Sequence, residues 1–253
     1  MHRDKLIEFI NKALEVKIDK DPWLFNGLQV LGKSEVSKIA LGVSPNLELF
    51  EQAATWGADM VILHHGLLGS KIAKPIGKVL GNRLKVLLNH EITLLTYHHF
   101  LDRHPVLGHN AQLIKLLGAK KGEEFGYSDR LFWGWTGNFS PAISINELIS
   151  RLQKLCGKIV KIFKYGPEKI KKLAVLTGGG AYHLSEAVDQ NLDVFITGEA
   201  NETTEAWAKE AEIHHIYLGH YNSEKFGIQA LGKLLKNKFP SLNIKFIDIP
   251  NNL

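Results

Sequence analysis

Two stretches of this chain match without a gap at an offset of 134 residues. Lys38-Ile39-Ala40-Leu41 pairs with Lys172-Leu173-Ala174-Val175, and Asp59-Met60-Val61-Ile62-Leu63 pairs with Asp193-Val194-Phe195-Ile196-Thr197. Between them Phe50 meets Leu184 and Ala54 meets Val188, on the apolar face of an intervening helix. Each stretch reads as strand, helix, strand. Short, wholly apolar strands joined by a helix belong in a parallel sheet buried on both faces. Any two such units share apolar strands, so the polar residues at the strand ends carry the match. They are His64-His65 and His98 in the first half, and Gly198-Glu199 and His220 in the second. Glu91-Ile92 leads to His98 much as Glu212-Ile213 leads to His220, and His98-xxx-Asp102 then mirrors His220-xxx-Glu224. Ligands of open parallel sheets bind beyond the C-terminal strand ends. Two halves facing each other across a pseudo-twofold axis would bring these ends to one cavity.

The expected fold is α/β, with two α/β lobes related by a pseudo-repeat, mostly parallel sheets and a small α+β middle segment. The boundaries fall at 1–119, 120–168 and 169–253. Apolar spacing predicts a helix over Lys5–Glu15, a strand over Val36–Val43, and a helix from Pro45 to Trp56 capped by Ser44 and ended by Gly57. Strand Met60–Leu63, helix Pro75–Asn89, strand Ile92–Tyr97 and helix Asn110–Leu117 follow. Aromatics and glycines over Phe125–Phe139 predict antiparallel strands, followed by helix Ile145–Leu155 and strand Val160–Phe163. The α/β rhythm resumes with strands Leu173–Leu176, Val194–Ile196, Ile213–Leu218 and Ile244–Ile247. The alternating helices are Leu184–Gln190, Glu202–Ala211 and Ser223–Asn237.

The chain has 253 residues, enough for a sizeable core. Its single cysteine, Cys156, excludes an internal disulfide and a cysteine-based zinc site. Apolar runs are too short to cross a bilayer, and the amphipathic N-terminus is unlike a secretory signal. A soluble cytoplasmic protein is expected, with no membrane partner. The net charge of +5 comes from scattered lysines without an Arg-rich arm, so a nucleic-acid partner is not favoured.

His220 and Glu224 stand one helical turn apart, as do His98 and Asp102. His64 and His65 are adjacent, and Gly66 supplies the freedom for the turn that would let both serve one cluster. Surface pairs and capping histidines are the bland alternatives. These residues suit two divalent transition-metal ions, with zinc, iron, manganese, cobalt or nickel fitting a mixed nitrogen–oxygen set. Two ions about 3.5–4 Å apart need anionic ligands, and bound water would then act as a hydroxide nucleophile near neutral pH. Asp102 and Glu224 supply two charges. Glu199 stands between orienting water, taking a proton and capping a helix. His98 stands between ligand, support and acid–base group. Both are the candidate catalytic residues. The run Thr177-Gly178-Gly179-Gly180 reads as a tight turn beside the cavity, with a phosphate cradle as the alternative. His2, His90, His109, His183, His214 and His215 lack a partner at ligand spacing, and His99 and His104 are expected to border the mouth of the site.

Asn26-Gly27-Leu28-Gln29-Val30, His64-His65-Gly66, His98-xx-Leu101-Asp102, Thr197-Gly198-Glu199 and Gly219-His220-Tyr221-xx-Glu224 occur in this order. Together they resemble the Nif-three-like dinuclear metal-centre family (YbgI-like), over nearly the whole chain. The resemblance implies His64, His65, Asp102, His220 and Glu224 as metal ligands, with His98 beside them. It implies a two-lobed protein assembled as a toroidal homohexamer. Many members are labelled GTP cyclohydrolase I type 2-like, which implies hydrolytic opening of the guanine imidazole ring, and others are named for interaction with transcription factors. His98-His99-Phe100-Leu101-Asp102 stands where the family usually reads His-Thr-Asn-Leu-Asp, and Arg103-His104-Pro105 replaces small residues. The expected function is a metal-dependent hydrolase acting on a nucleotide-like or phosphorylated small molecule. The alternative is a metal-containing regulatory or binding module, with a sensor as a third reading.

Overall fold

The structure, a computed structural model, describes residues 1–16, 21–69, 75–157 and 159–251. In chain order the elements begin with α1 (Arg3–Ala13), β1 (Gly27–Val30), β2 (Lys38–Gly42), α2 (Leu47–Trp56), β3 (Met60–Leu63), α3 (Lys78–Asn89), β4 (Thr93–Thr96) and α4 (His99–Asp102). Next come α5 (His109–Leu116), β5 (Lys120–Ser128), β6 (Leu131–Ser144), α6 (Ile145–Cys156), β7 (Lys161–Phe163) and β8 (Lys169–Leu176). A 3₁₀ turn (Gly180–His183) leads into α7 (Leu184–Asp189), β9 (Val194–Thr197), α8 (Thr204–Glu210), β10 (His214–Tyr217), α9 (His220–Ser223), α10 (Phe226–Lys238) and β11 (Asn243–Phe246).

Two compact units result. The first comprises Met1–Leu101 and Ile228–Ile249, the second Asp102–Gly227 and Pro250–Leu253. The first holds a five-stranded sheet in the order β1-β4-β3-β2-β11, in which β1 alone runs antiparallel. The second holds a six-stranded sheet in the order β5-β6-β8-β9-β10-β7. Its centre, β8-β9-β10, is parallel, while β5, β6 and β7 pair antiparallel. This division differs from the three segments expected at 1–119, 120–168 and 169–253. The middle residues hydrogen-bond into the second sheet, where β6 runs beside β8 and buries Trp135 and Phe139 with Leu173 and Val175. Apolar periodicity marks such strands without naming the strand that pairs with them.

Side chains alternate between the faces of each sheet. On β8, Leu173 and Val175 enter one core with Leu148 and Leu152, while Ala174 and Leu176 enter another with Phe125 and Phe195. On β3, Val61 and Leu63 pack with Leu49, Phe50 and Ala53 of α2. Helix α2 is capped by Asn46, whose side chain accepts from Leu49 N at 2.8 Å, and not by Ser44. Gly57 closes it in the left-handed conformation at φ 76°.

The strand order β1-β4-β3-β2 recurs as β7-β10-β9-β8, with the same senses. Ile39 stands opposite Met60 on β2 and β3, as Leu173 stands opposite Val194 on β8 and β9, both at the offset of 134. Asp59 Oδ2 accepts from the amides of Ser37 and Lys38 at 2.9 and 3.0 Å. Asp193 Oδ2 accepts from those of Lys171 and Lys172, both at 2.7 Å. The turn before the third parallel strand passes through Glu91 in one unit and Glu212 in the other, each at φ 51°.

Candidate metal centre

In the first unit the ends of β3 and β4 present three imidazoles. His64, His65 and His98 each offer a ligand atom within 4.8 Å of the others. Their ring centroids lie 4.6 Å (His64–His65), 5.1 Å (His64–His98) and 5.7 Å (His65–His98) apart. Each Nδ1 has its own partner. His64 Nδ1 sits 3.0 Å from Tyr97 O, His65 Nδ1 3.0 Å from Ser44 Oγ, and His98 Nδ1 3.0 Å from Asp21 Oδ2. A carbonyl can only accept, so His64 carries its proton on Nδ1 and presents the Nε2 lone pair, the arrangement typical of a metal-ligating histidine.

Asp21 is the hub of this half. Its side chain is 3% exposed, and its Oδ2 lies 3.0 Å from both His98 Nδ1 and His99 Nδ1. Burial alone would raise its pKa. The hydrogen bonds from His98 and His99, with the amide of Leu24, outweigh that and hold the carboxyl far below its usual range. Asn26 donates to Asp21 Oδ2 at 2.7 Å and accepts from His98 N at 2.6 Å. Gln29 Oε1 accepts from Leu67 N and Leu68 N at 2.8 and 3.2 Å, fixing the loop after His65. A side chain on Gly66 would collide with the Gln29 amide, so only glycine allows this approach.

In the second unit the centrepiece is one imidazole between two carboxylates. His220 Nδ1 lies 2.5 Å from Glu199 Oε1, and its Nε2 lies 3.2 Å from Glu224 Oε2. Burial pulls the His220 pKa down. The hydrogen bonds and charges of Glu224 and Glu199 more than offset this and push it up to about 10. The imidazolium is thus held as a cation by two anions, which is the electrostatics of a cation site. A methyl group at Gly178, whose φ is +66°, would press into Glu224 Oε1 and lie 3.2 Å from His220 Nε2. The glycine run is therefore a tight turn laid against these side chains. Asp102 is 9% exposed. Its carbonyl accepts from Asn110 Nδ2 at 3.1 Å, while Asn110 Oδ1 accepts from Thr177 N at 2.7 Å, so one buried amide fastens Asp102 to the glycine turn.

The model of the Duf34/NIF3 (NGG1p interacting factor 3) family matches residues 1–252. A protein of Archaeoglobus fulgidus named GTP cyclohydrolase 1 type 2 homolog is 34% identical over 253 residues, covering 100% of both chains. A protein of Escherichia coli strain K12 with the same name is 37% identical over 255 residues, covering 99% of each. The solved structure of protein ybgI, described as of unknown function, superposes with a TM-score of 0.91 at 37% identity and covers 100% of both chains. The chain belongs to the DUF34/NIF3 family. The α/β fold with two sheets is the family's own, since solved family structures match the whole chain.

Within that family frame, the structure gathers His64, His65 and His98 in the first unit, and His220, Glu224 and Glu199 in the second, where Asp102 also lies. Several of these groups could hold metal ions, and imidazole with carboxylate suits the first-row metals named above. Glu199 does not cap α8, whose N-cap is Thr203, and instead grips His220. His99 is buried rather than bordering a mouth, with its ring stacked on Phe100 at 4.4 Å. The shared strand register sets Thr93 opposite Met60 as His214 is opposite Val194, an offset of 121. His99 at the start of α4 therefore matches His220 at the start of α9, and the expected equivalence of His98 with His220 is out by one residue. Sequence reasoning missed Asp21, Ser44 and Asn110. The Asn26–Val30 motif was the one signal pointing toward Asp21. Among the described residues no helix is long and apolar enough to cross a membrane.

Proposed function

We propose that His64, His65, Asp102, His220 and Glu224 hold two divalent transition-metal ions and that the protein is a hydrolase of the GTP cyclohydrolase I type 2-like kind. Its substrate class would be a nucleotide-like or phosphorylated small molecule. Such ions would supply Lewis-acid activation of water and of the bond to be cleaved. The observation that supports this most is the pattern of partners. Three imidazoles in one unit are held through Nδ1, and an imidazole in the other is clasped by two carboxylates. The names of the relatives, GTP cyclohydrolase 1 type 2 homolog, support the substrate class.

In this reading Glu199 accepts the hydrogen bond from His220 Nδ1 and orients the ring, so that Nε2 would give up its proton to solvent and offer its lone pair to an ion. Asp21 holds His98 so that Nε2 can pass a proton at the substrate. The assembly is a homohexamer and the location cytoplasmic. The test is elemental analysis of protein purified without chelator, joined to turnover on GTP and a panel of phosphoesters. Two ions per chain, with turnover abolished by Asp102→Ala, is the expected result. Full occupancy without turnover on any class would replace the hydrolase by a metal-containing binding module. Light scattering tests the hexamer.

A further inference from the structure

The loop from Asp21 to Asn26 is turned inside out relative to ordinary loop chemistry. Its carboxylate is 3% exposed, while Trp23 is 52% exposed and Phe25 48%. Large aromatics normally go inward and charges outward. The inward carboxylate is explained by the histidines it binds. The outward rings are not a sign of slack, because the backbone beneath them is pinned. Asp21 Oδ1 accepts from Trp23 N and Leu24 N at 2.9 and 3.0 Å, and Gln29 Nε2 donates to Phe25 O at 2.7 Å. Phe25 N donates to Leu68 O at 3.2 Å, in the loop that follows His65 and Gly66. The same residues that position His98 thus fix where Trp23 stands. Its ring lies edge-on to His98, with centroids 6.3 Å apart and planes at 85°.

We propose that Trp23 is a stacking platform, on which the planar heteroaromatic ring of the substrate rests while its reactive part reaches the histidine group. This rests on the hydrolase reading above and deepens it by assigning a residue to the purine-like ring of a nucleotide-like substrate. An indole offers a large, rigid π face at low entropic cost, and base stacking on aromatics tolerates different bases. The ring centroids of Trp23 and His98 are only 6.3 Å apart, so a ligand on the platform is already next to the imidazoles.

The experiment is isothermal titration calorimetry of the metal-loaded protein with GMP and with ribose 5-phosphate, which lacks the ring. Elemental analysis and light scattering are run on every sample. Trp23→Ala is expected to weaken GMP binding about tenfold. Trp23→Phe should stay within about threefold of the parent, since it keeps a π face. Ribose 5-phosphate affinity, metal content and assembly size should be the same in all three. Trp207→Ala, which removes a comparably exposed indole from the second unit (Trp207 is 50% exposed), should leave GMP binding unchanged. GMP affinity unaffected by Trp23→Ala overturns the proposal. So does a change in assembly size in that variant, which would make Trp23 an interface residue. Failure of the parent to bind GMP overturns it too, while retained ions and turnover of ring-free phosphoesters would leave the hydrolase reading standing.

Discussion

The two units run the same four-strand path, β1-β4-β3-β2 and β7-β10-β9-β8, yet equip it with opposite chemistry. At matching strand ends the first unit places His64 and His65 where the second places Gly198 and Glu199. The first half is rich in nitrogen, its rings held by a carbonyl, a hydroxyl and a buried carboxylate. The second is rich in oxygen, with one ring between two glutamates. The scaffold is thus indifferent to the donors it carries. Hydrogen bonds from the backbone, such as the matched Asp59 and Asp193 clamps, build the path, and side chains beyond the strand ends decide the charge.

The largest effect that would break the comparison comes from Gly178→Ala. The methyl group presses on Glu224, and the alanine must adopt a left-handed backbone, which costs a non-glycine residue about 1–3 kcal/mol. Loss of nearly all metal retention is expected in elemental analysis, with the second unit's donors displaced and the first unit's intact.

Position 215 gives the next largest effect. His215 on β10 is fully buried, and burial lowers its pKa to about 4. Leu94 occupies the matching place on β4. The folded chain keeps His215 neutral, whereas the unfolded chain takes up a proton below its ordinary value of 6.5. Stability from this group is therefore complete above that pH and is lost as pH falls toward 4, by about 3 kcal/mol in all. His215→Leu, which copies the first unit, should flatten this part of the pH–stability curve in urea titrations. A slope unchanged between pH 6 and 4 would remove His215 as the source of acid sensitivity.

Asp21→Asn and Glu199→Gln compare the supports of the two halves. Glu199→Gln removes the charge behind His220, a ligand in the proposed site, and a loss of about 10–100-fold in metal affinity is expected by competition with a chelator. Asp21→Asn removes the charge behind His98 and His99, and is expected to lower turnover with metal affinity kept. An equal loss of metal affinity in Asp21→Asn would make the His98 group a holder of ions and remove this difference between the halves. The smallest effects belong to the clamps. Asp59→Ala and Asp193→Ala each strip two backbone amides of a charged acceptor, and each should cost about 1–3 kcal/mol in denaturant titrations. Nearly equal losses would sharpen the likeness of the units, and a large inequality would blunt it.

Much of the fold is legible in the sequence. Met60–Leu63 and Val194–Ile196 are short apolar runs that announce burial on both faces; the first forms as read, and the second extends by one residue to Thr197. The donor types and most of their spacing were equally plain. Other features were hidden. Strand β1 has only two buried residues among four and pairs antiparallel at the sheet edge, so it carries no strong period. The helix expected over Ser223–Asn237 begins later, as α10 at Phe226, and Ser223 instead ends the short α9; between them lies Glu224, whose carboxylate stands beside His220. Ser44 looked like a cap because it precedes a proline-led helix. Asn46 took that role and left Ser44 to hold His65.

From its residues alone the chain determined its strands, most of its helices and the elements that could bind a metal, because these depend on local period and donor chemistry. Tertiary structure decided which nitrogen each imidazole commits and which acid stands behind it. Those choices are made by hydrogen bonds between residues distant in sequence, Asp21 with His98 and Glu199 with His220, and no local pattern records them.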